Sequence, residues 1–341
     1  MMLPRQFSIN RSTVLIPAVA VLFILFLLLR ITDDGDTRPW ESRRKYPLRT
    51  KPTGPRRSQS NLYTKQEQAL IRRKPRYAIT STIQTGSYTP LGLMLGYSIQ
   101  KHNDLAAMDA ELVMLVRSTG EDGVSAENIT RLEKAGWRVK EAEELEFENV
   151  DTSQIRSHHR HNLNKLHVWS WTEYERIIFL DADTICKGSL AELWQMPGDF
   201  AAAPDVWWDV ITDNRFNSGL MVLRPSTEEF HSLVKHVSDP NYHSPNDADQ
   251  AFLNTYYRFR YYGLPYKYNF NLIMYQFHRY YWDLLWDEAV IVHFTVRKPK
   301  SDPKEHCHKG CNEWEPMEWY GMMFREMLAF YGWEKEIPLY A

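Results

Sequence analysis

The chain has 341 residues, and its 41 Lys/Arg nearly balance its 43 Asp/Glu, for a net charge of −2. The balance is uneven: residues 1–76 carry 16 Lys/Arg against 5 Asp/Glu, which leaves residues 77–341 acidic. An acidic body argues against nucleic-acid binding, which needs a basic surface. Three Cys exclude a disulfide scaffold, and 43% hydrophobic with 13% aromatic residues exclude a disordered or collagen-like chain.

A short tail, residues 1–11, leads into an uncharged aliphatic run. Ser12 to Leu29 is bounded by Arg11 and Arg30. As a helix, at about 1.5 Å per residue, it spans roughly 27 Å, close to the thickness of a bilayer core. The run ends Leu27-Leu28-Leu29-Arg30-Ile31, with no small-x-small cleavage site. That ending predicts an uncleaved transmembrane signal anchor over 12–31 rather than a removed signal peptide. Residues 32–76 are rich in Arg, Lys, Pro, Ser and Thr and predict a basic, extended stem. Arg38, Arg43, Arg44 and Lys45 outnumber Arg5 and Arg11, so the positive-inside rule places the C-terminal side in the cytosol.

Residues 77–341 predict one domain, with a C-terminal extension after about residue 300. Tyr77 to Ile83 is rich in β-formers and predicts a strand. Gly86-Ser87 predicts a turn, and Thr89 then caps a helix with Pro90 at its first position. Glu111 to Val116 predicts a second strand, Ser125 to Ala135 a helix closed by Gly136, and Trp137 to Lys140 a third strand. This alternation predicts an α/β fold with a mostly parallel sheet flanked by helices. A helical run, Leu163 to Tyr174, precedes a short buried strand, Ile177 to Leu180.

Parallel sheets bind ligands beyond the carboxyl ends of their strands. There the chain places Asp181-Ala182-Asp183. Two carboxylates one residue apart repel each other unless a cation lies between them, and Mg²⁺ and Mn²⁺ favour such oxygens. A solvated turn is the other reading of Asp-x-Asp alone. A phosphatase of the haloacid dehalogenase type also uses Asp-x-Asp, with Thr or Val in the fifth place; here that place is Ile185.

The surroundings carry a resemblance. Asn164-Lys165-Leu166-His167-Val168-Trp169-Ser170 precedes Phe179-Leu180-Asp181-Ala182-Asp183-Thr184. Next come Ala203-Pro204-Asp205, Phe216-Asn217-Ser218-Gly219 and Asp249-Gln250-Ala251-Phe252-Leu253-Asn254, then Val292-His293-Phe294 with Lys298-Pro299. This ordered set resembles glycosyltransferase family 8, the family of glycogenin and galactinol synthase, over roughly Tyr77 to Pro299. The resemblance implies a Rossmann-like GT-A fold and retaining transfer of a hexose from a UDP-sugar. It implies Mn²⁺, with Mg²⁺ as the alternative, held by Asp181, Asp183 and His293. Lys298 looks like a diphosphate contact, assisted by Arg297 if that residue is not solvated. Lys165 resembles a contact to donor sugar or phosphate. Thr82, Gln84, Thr85 and Tyr88 resemble the uridine and ribose loop. Ala182, Asn217, Ser218 and Gly219 look like donor contacts, with Gly219 admitting a close backbone approach. Asp249 and Gln250 look like the residues facing the anomeric carbon.

The acceptor, whether glycan, lipid or protein, is not specified by these motifs. Glycogenin glucosylates its own tyrosine, and the matching position here is His278, with Tyr275, Tyr280 and Tyr281 close by. The His-Phe-x-Gly pattern of many members is here His293-Phe294-Thr295-Val296. With the anchor, the resemblance implies a Golgi enzyme of type II orientation with a lumenal body, against the charge rule. In an oxidising lumen Cys307 and Cys311 could pair, or share zinc with His306 and His308, and Asn128-Ile129-Thr130 is a glycosylation sequon. Trp207-Trp208 could stack on an acceptor or lie in the core. His158-His159-Arg160-His161 reads as a solvated loop.

Overall fold

The first strand, β1 (Tyr77–Ile83), lies in the middle of the main sheet, where only apolar or small residues fit on both faces. In the computed structural model the described residues are 74–145, 161–207, 215–239, 241–242, 248–299, 313–335 and 337. The chain divides into two units, residues 1–64 and 65–341, and all described residues belong to the second. The expected span at 12–31 lies outside the described residues, as do the stem as far as residue 73, Trp208, His158, His159, Arg160, Cys307 and Cys311. No helix among the described residues is long and apolar enough to cross a membrane.

From β1 the chain passes through α1 (Thr89–His102), β2 (Ala110–Val116), α2 (Ala126–Lys134) and β3 (Trp137–Glu141). It continues through β4 (Arg176–Leu180), β5 (Thr184–Cys186), β6 (Phe200–Pro204) and β7 (Phe216–Leu223), then α3 (Thr227–Val237), α4 (Asp249–Tyr256) and β8 (Tyr262–Gly263). The last elements are β9 (Phe270–Asn271), α5 (Leu272–Phe277), α6 (Arg279–Leu285), β10 (Ile291–His293) and α7 (Trp314–Tyr331). The main sheet has the order β3-β2-β1-β4-β7-β6-β8 and is parallel except for β7, which runs antiparallel to β4 and β6. A small second sheet has the order β5-β10-β9.

Strand side chains alternate between faces, and the two faces build two cores. Ile79, Ile178, Leu180 and Val222 pack with α1, α2 and α7. Ala78, Ile177, Phe179 and Met221 pack with α3, α4 and Trp169. Burying one such side chain contributes about 1.5–3 kcal/mol, so β4, buried at every position, anchors the sheet on both sides.

Most of the expected elements form within a residue or two. Ser125 caps α2 by accepting from the Asn128 amide at 3.2 Å, and Gly136, at φ +89°, closes it. Two readings are corrected. Thr89 is already helical: a 3-10 turn over Gly86–Tyr88 precedes α1, and Tyr88 is its N-cap residue. The run expected to be helical from Leu163 to Tyr174 is a 3-10 segment, Asn162–Ser170, because its side chains are drawn into the core and the site rather than along one helical stripe. His293 is the last residue of β10.

Candidate active site

Three pieces of backbone converge where β4 ends. The Asp181 amide donates to Gly219 O at 2.9 Å, tying the Asp-x-Asp turn to antiparallel β7. Thr184 closes the turn, its amide (3.2 Å) and its hydroxyl (2.8 Å) both donating to Asp181 O. β10 pairs with β5, so His293 lies opposite Thr184, directly beside the motif.

These pairings bring one oxygen of Asp181, one of Asp183 and a ring nitrogen of His293 within 4.8 Å of one another. Asp183 and His293 are buried, at 5% and 3% exposure. His293 Nδ1 faces Asn269 Oδ1 at 2.7 Å. An amide oxygen can only accept, so Nδ1 carries a proton toward Asn269. The other ring nitrogen, Nε2, lies 3.3 Å from Asp183 Oδ1. Two carboxylates and an imidazole nitrogen, with the far side of the ring held by an amide, fit a Mn²⁺ or Mg²⁺ centre.

Lysines compensate the acidic charge. Buried Lys165 reaches Asp181 Oδ1 at 3.1 Å and Asp249 Oδ2 at 2.6 Å. Burial alone would lower its pKa; the two carboxylates outweigh that and hold it above the usual lysine range. Asp181 is raised, first by burial and then by repulsion from Asp183, with Lys165 opposing. Asp183 is also buried, but Lys298 and His293 pull it well below the carboxylate range. Lys298 bonds Asp183 Oδ2 and donates to Thr295 O at 3.2 Å.

A second layer surrounds this cluster. Ser218 Oγ donates to Asp249 Oδ2 at 2.8 Å, and the Ser218 amide to Gln250 Oε1 at 3.1 Å. Asp205 Oδ2 accepts from Gln250 Nε2 at 2.9 Å, and Asp205 Oδ1 from Asn217 Nδ2 at 3.0 Å. Asn164 Nδ2 donates to Gln84 Oε1 at 3.0 Å, and Gln84 in turn bonds Thr82. Tyr88 is half-buried; burial raises its phenol, and it feels the charges of Lys298, Asp183 and Asp181. Ala182 is buried within the turn.

The structure therefore gathers Asp181, Asp183, His293, Lys298, Lys165, Asp249, Gln250, Ser218 and Asn217 into one network, while Thr82 and Gln84 form a separate chain with Asn164, whose amide oxygen accepts from Leu145 N. Thr85 stands apart, its hydroxyl engaged by Ser87 at 3.0 Å. Arg297 pairs with Glu313 at 3.1 Å. A Cβ on Gly219 would meet the His293 ring, at 2.2 Å from Cε1. Sequence reasoning missed Asp205, Asn269 and Asn164 as site residues. Asp205 had a signal, since it follows the apolar strand Phe200–Pro204 as Asp181 follows β4; Asn269 had none.

A mostly parallel sheet that ends in an Asp-x-Asp turn beside a histidine defines a GT-A-like fold of the nucleotide-sugar transferase class. The sequence profile of "Glycosyl transferase family 8" matches residues 81–300, and the chain belongs to that family. It is 40% identical over 96 residues to Glycogenin-2 of Homo sapiens, covering 28% of this chain and 18% of that protein. It is 28% identical over 207 residues to UDP-glucuronate:xylan alpha-glucuronosyltransferase 2 of Arabidopsis thaliana, covering 61% of this chain and 31% of that one. The matches thus span less than a third of the length of these curated relatives. Among solved structures, the WbbM bifunctional glycosyltransferase in its apo form superposes with a TM-score of 0.56 at 18% identity, over 78% of this chain and 52% of that one, and shares the fold.

Proposed function

We propose that this chain is a retaining, metal-dependent glycosyltransferase that moves a hexose from a UDP-sugar to a glycan, lipid or protein acceptor. In this reading residues 12–31 anchor it in the Golgi membrane with a lumenal body. The observation that carries the catalytic reading is the cluster of Asp181, Asp183 and His293, joined through Lys165 to Asp249. A UDP-linked donor is supported by the family match and by the Arabidopsis relative, whose name specifies UDP-glucuronate.

Breaking a sugar–phosphate bond leaves negative charge on the diphosphate and positive charge on the anomeric carbon. Asp181, Asp183 and His293 would hold the divalent ion, which supplies Lewis acidity at the diphosphate when bound. Lys298, half-exposed at the rim, adds a positive charge for the leaving group. Asp249 is held by Lys165 and Ser218 with its charge available to the developing cation. Gln250 and Asn217, oriented by Asp205, offer amide groups to the sugar hydroxyls. Thr82, Gln84, Thr85 and Tyr88 form the uridine and ribose side.

Purified protein incubated with a panel of UDP-sugars, with Mn²⁺ or with EDTA, tests the reading. Release of UDP from at least one donor, only with metal, is expected. No release from any donor with Mn²⁺ sinks it. Protease protection of the body in intact microsomes tests the orientation separately, and digestion without detergent would place the body in the cytosol.

A further inference from the structure

The sheet edge opposite the Asp-x-Asp turn carries a basic cavity. β1 and β4 start there, at Tyr77 and Arg176, and antiparallel β7 ends there, just before Arg224. Together these elements line a cavity of about 410 Å³ with Arg76, Arg176, Arg224, Glu175, Tyr77 and Trp194 in its wall. The rings of Tyr77 and Trp194 stack at 4.6 Å, and the Arg76 guanidinium lies 5.0 Å from the Tyr77 ring centre.

Its charges do not cancel. Arg76 pairs with Glu175, and Arg224 pairs with Asp199 at 3.2 Å. Arg176 is 7% exposed, and its guanidinium donates to two main-chain carbonyls, Met196 O and Gly198 O (3.2 Å for the second). Among the described residues no carboxylate forms an ion pair with it. Burial first and then the field of Arg224 lower its pKa, with Asp199 opposing from a distance. A buried cation with no carboxylate bonded to it is costly to keep, and an arginine fork matches phosphate oxygens in geometry. The aromatic rings give the same cavity a surface suited to a ring-shaped ligand.

We propose that this cavity is a binding site for a phosphate monoester carried on a sugar-sized ring, separate from the site at the Asp-x-Asp turn. The phosphate group sits between Arg176 and Arg224 and supplies the missing negative charge. A soluble sugar phosphate and a phosphorylated inositol headgroup share this chemistry.

Thermal melting of the full chain with inorganic phosphate and with glucose 6-phosphate tests it, because a ligand that binds only the native state raises the melting temperature. Arg224 is exposed, so Arg224→Ala should fold normally. The expected result is a rise for wild type and for Lys298→Ala, and at least tenfold weaker binding in Arg224→Ala. Flotation with phosphatidylcholine vesicles, with and without phosphatidylinositol 4-phosphate, identifies the lipid source: Arg224-dependent flotation assigns the headgroup. The proposal is overturned if neither ligand shifts wild type and the phosphoinositide vesicles do not float it. It is also overturned if binding is unchanged in Arg224→Ala, or is lost in Lys298→Ala alone, which would place the phosphate at the donor site.

Discussion

Gly219 and His293 are packed so closely that a single added carbon on Gly219 would lie 2.2 Å from His293 Cε1 and 2.7 Å from its Nδ1. The missing side chain is what leaves room for the imidazole beside β7, with Nε2 toward Asp183. Gly219→Ala should therefore displace the ring and break its bond to Asn269. We expect metal-dependent UDP release to fall about a hundredfold while the circular dichroism spectrum stays native. Unchanged activity would show that His293 is not a ligand.

Asp181→Asn and Asp183→Asn keep the shape of the turn and remove one charge each. Both should abolish metal-dependent transfer, and Asp183→Asn should also remove the rise in melting temperature produced by Mn²⁺. Full activity in both variants would overturn the metal assignment.

The two lysines should differ in what they hold up. Lys165 is 3% exposed and bridges Asp181 and Asp249, so Lys165→Met leaves the buried Asp249 and the partly buried Asp181 without that counter-charge. A cost of about 3–5 kcal/mol in urea unfolding is expected. Lys298 is 42% exposed, and Lys298→Met should cost about 1 kcal/mol or less, though it too should impair transfer. Equal costs would contradict the structural role given to Lys165.

Cys186 should be inert. It is fully buried, its thiol donates to Gly188 O at 3.1 Å, and burial pushes its pKa up to about 12. The thiolate is the reactive form. Iodoacetamide at neutral pH should leave Cys186 unmodified in the native protein and alkylate it in urea, as read by peptide mass spectrometry.

Self-glucosylation would need an acceptor tyrosine near the donor site. His278 occupies the position matching glycogenin's, and it bonds Trp207 O at 2.7 Å. Tyr275 is buried, whereas Tyr280 and Tyr281 are exposed. After incubation with UDP-glucose and Mn²⁺, intact mass should be unchanged. A hexose on Tyr280 or Tyr281 would instead identify a primer.

Local patterns were enough for the features whose physics is local. The apolar run Ser12–Leu29 remains an expectation from composition, and it lies outside the described residues. β1, β2, β4 and α2 are legible because their burial patterns repeat within a few residues, and Asp181 and Asp183 because a short apolar strand ends on them. The family motifs extended this to His293 and Asp249. Tertiary structure decided the rest. That Lys165 lies between Asp181 and Asp249, that Gly219 makes room for the His293 imidazole, and that Asn269 orients that ring all depend on the register of β7 against β4 and of β10 against β5. The basic cavity at the far edge likewise exists because β7 runs backward and sets Arg224 beside Arg176. Electrostatic neighbours are set by distances in space, and a sequence orders residues only along the chain.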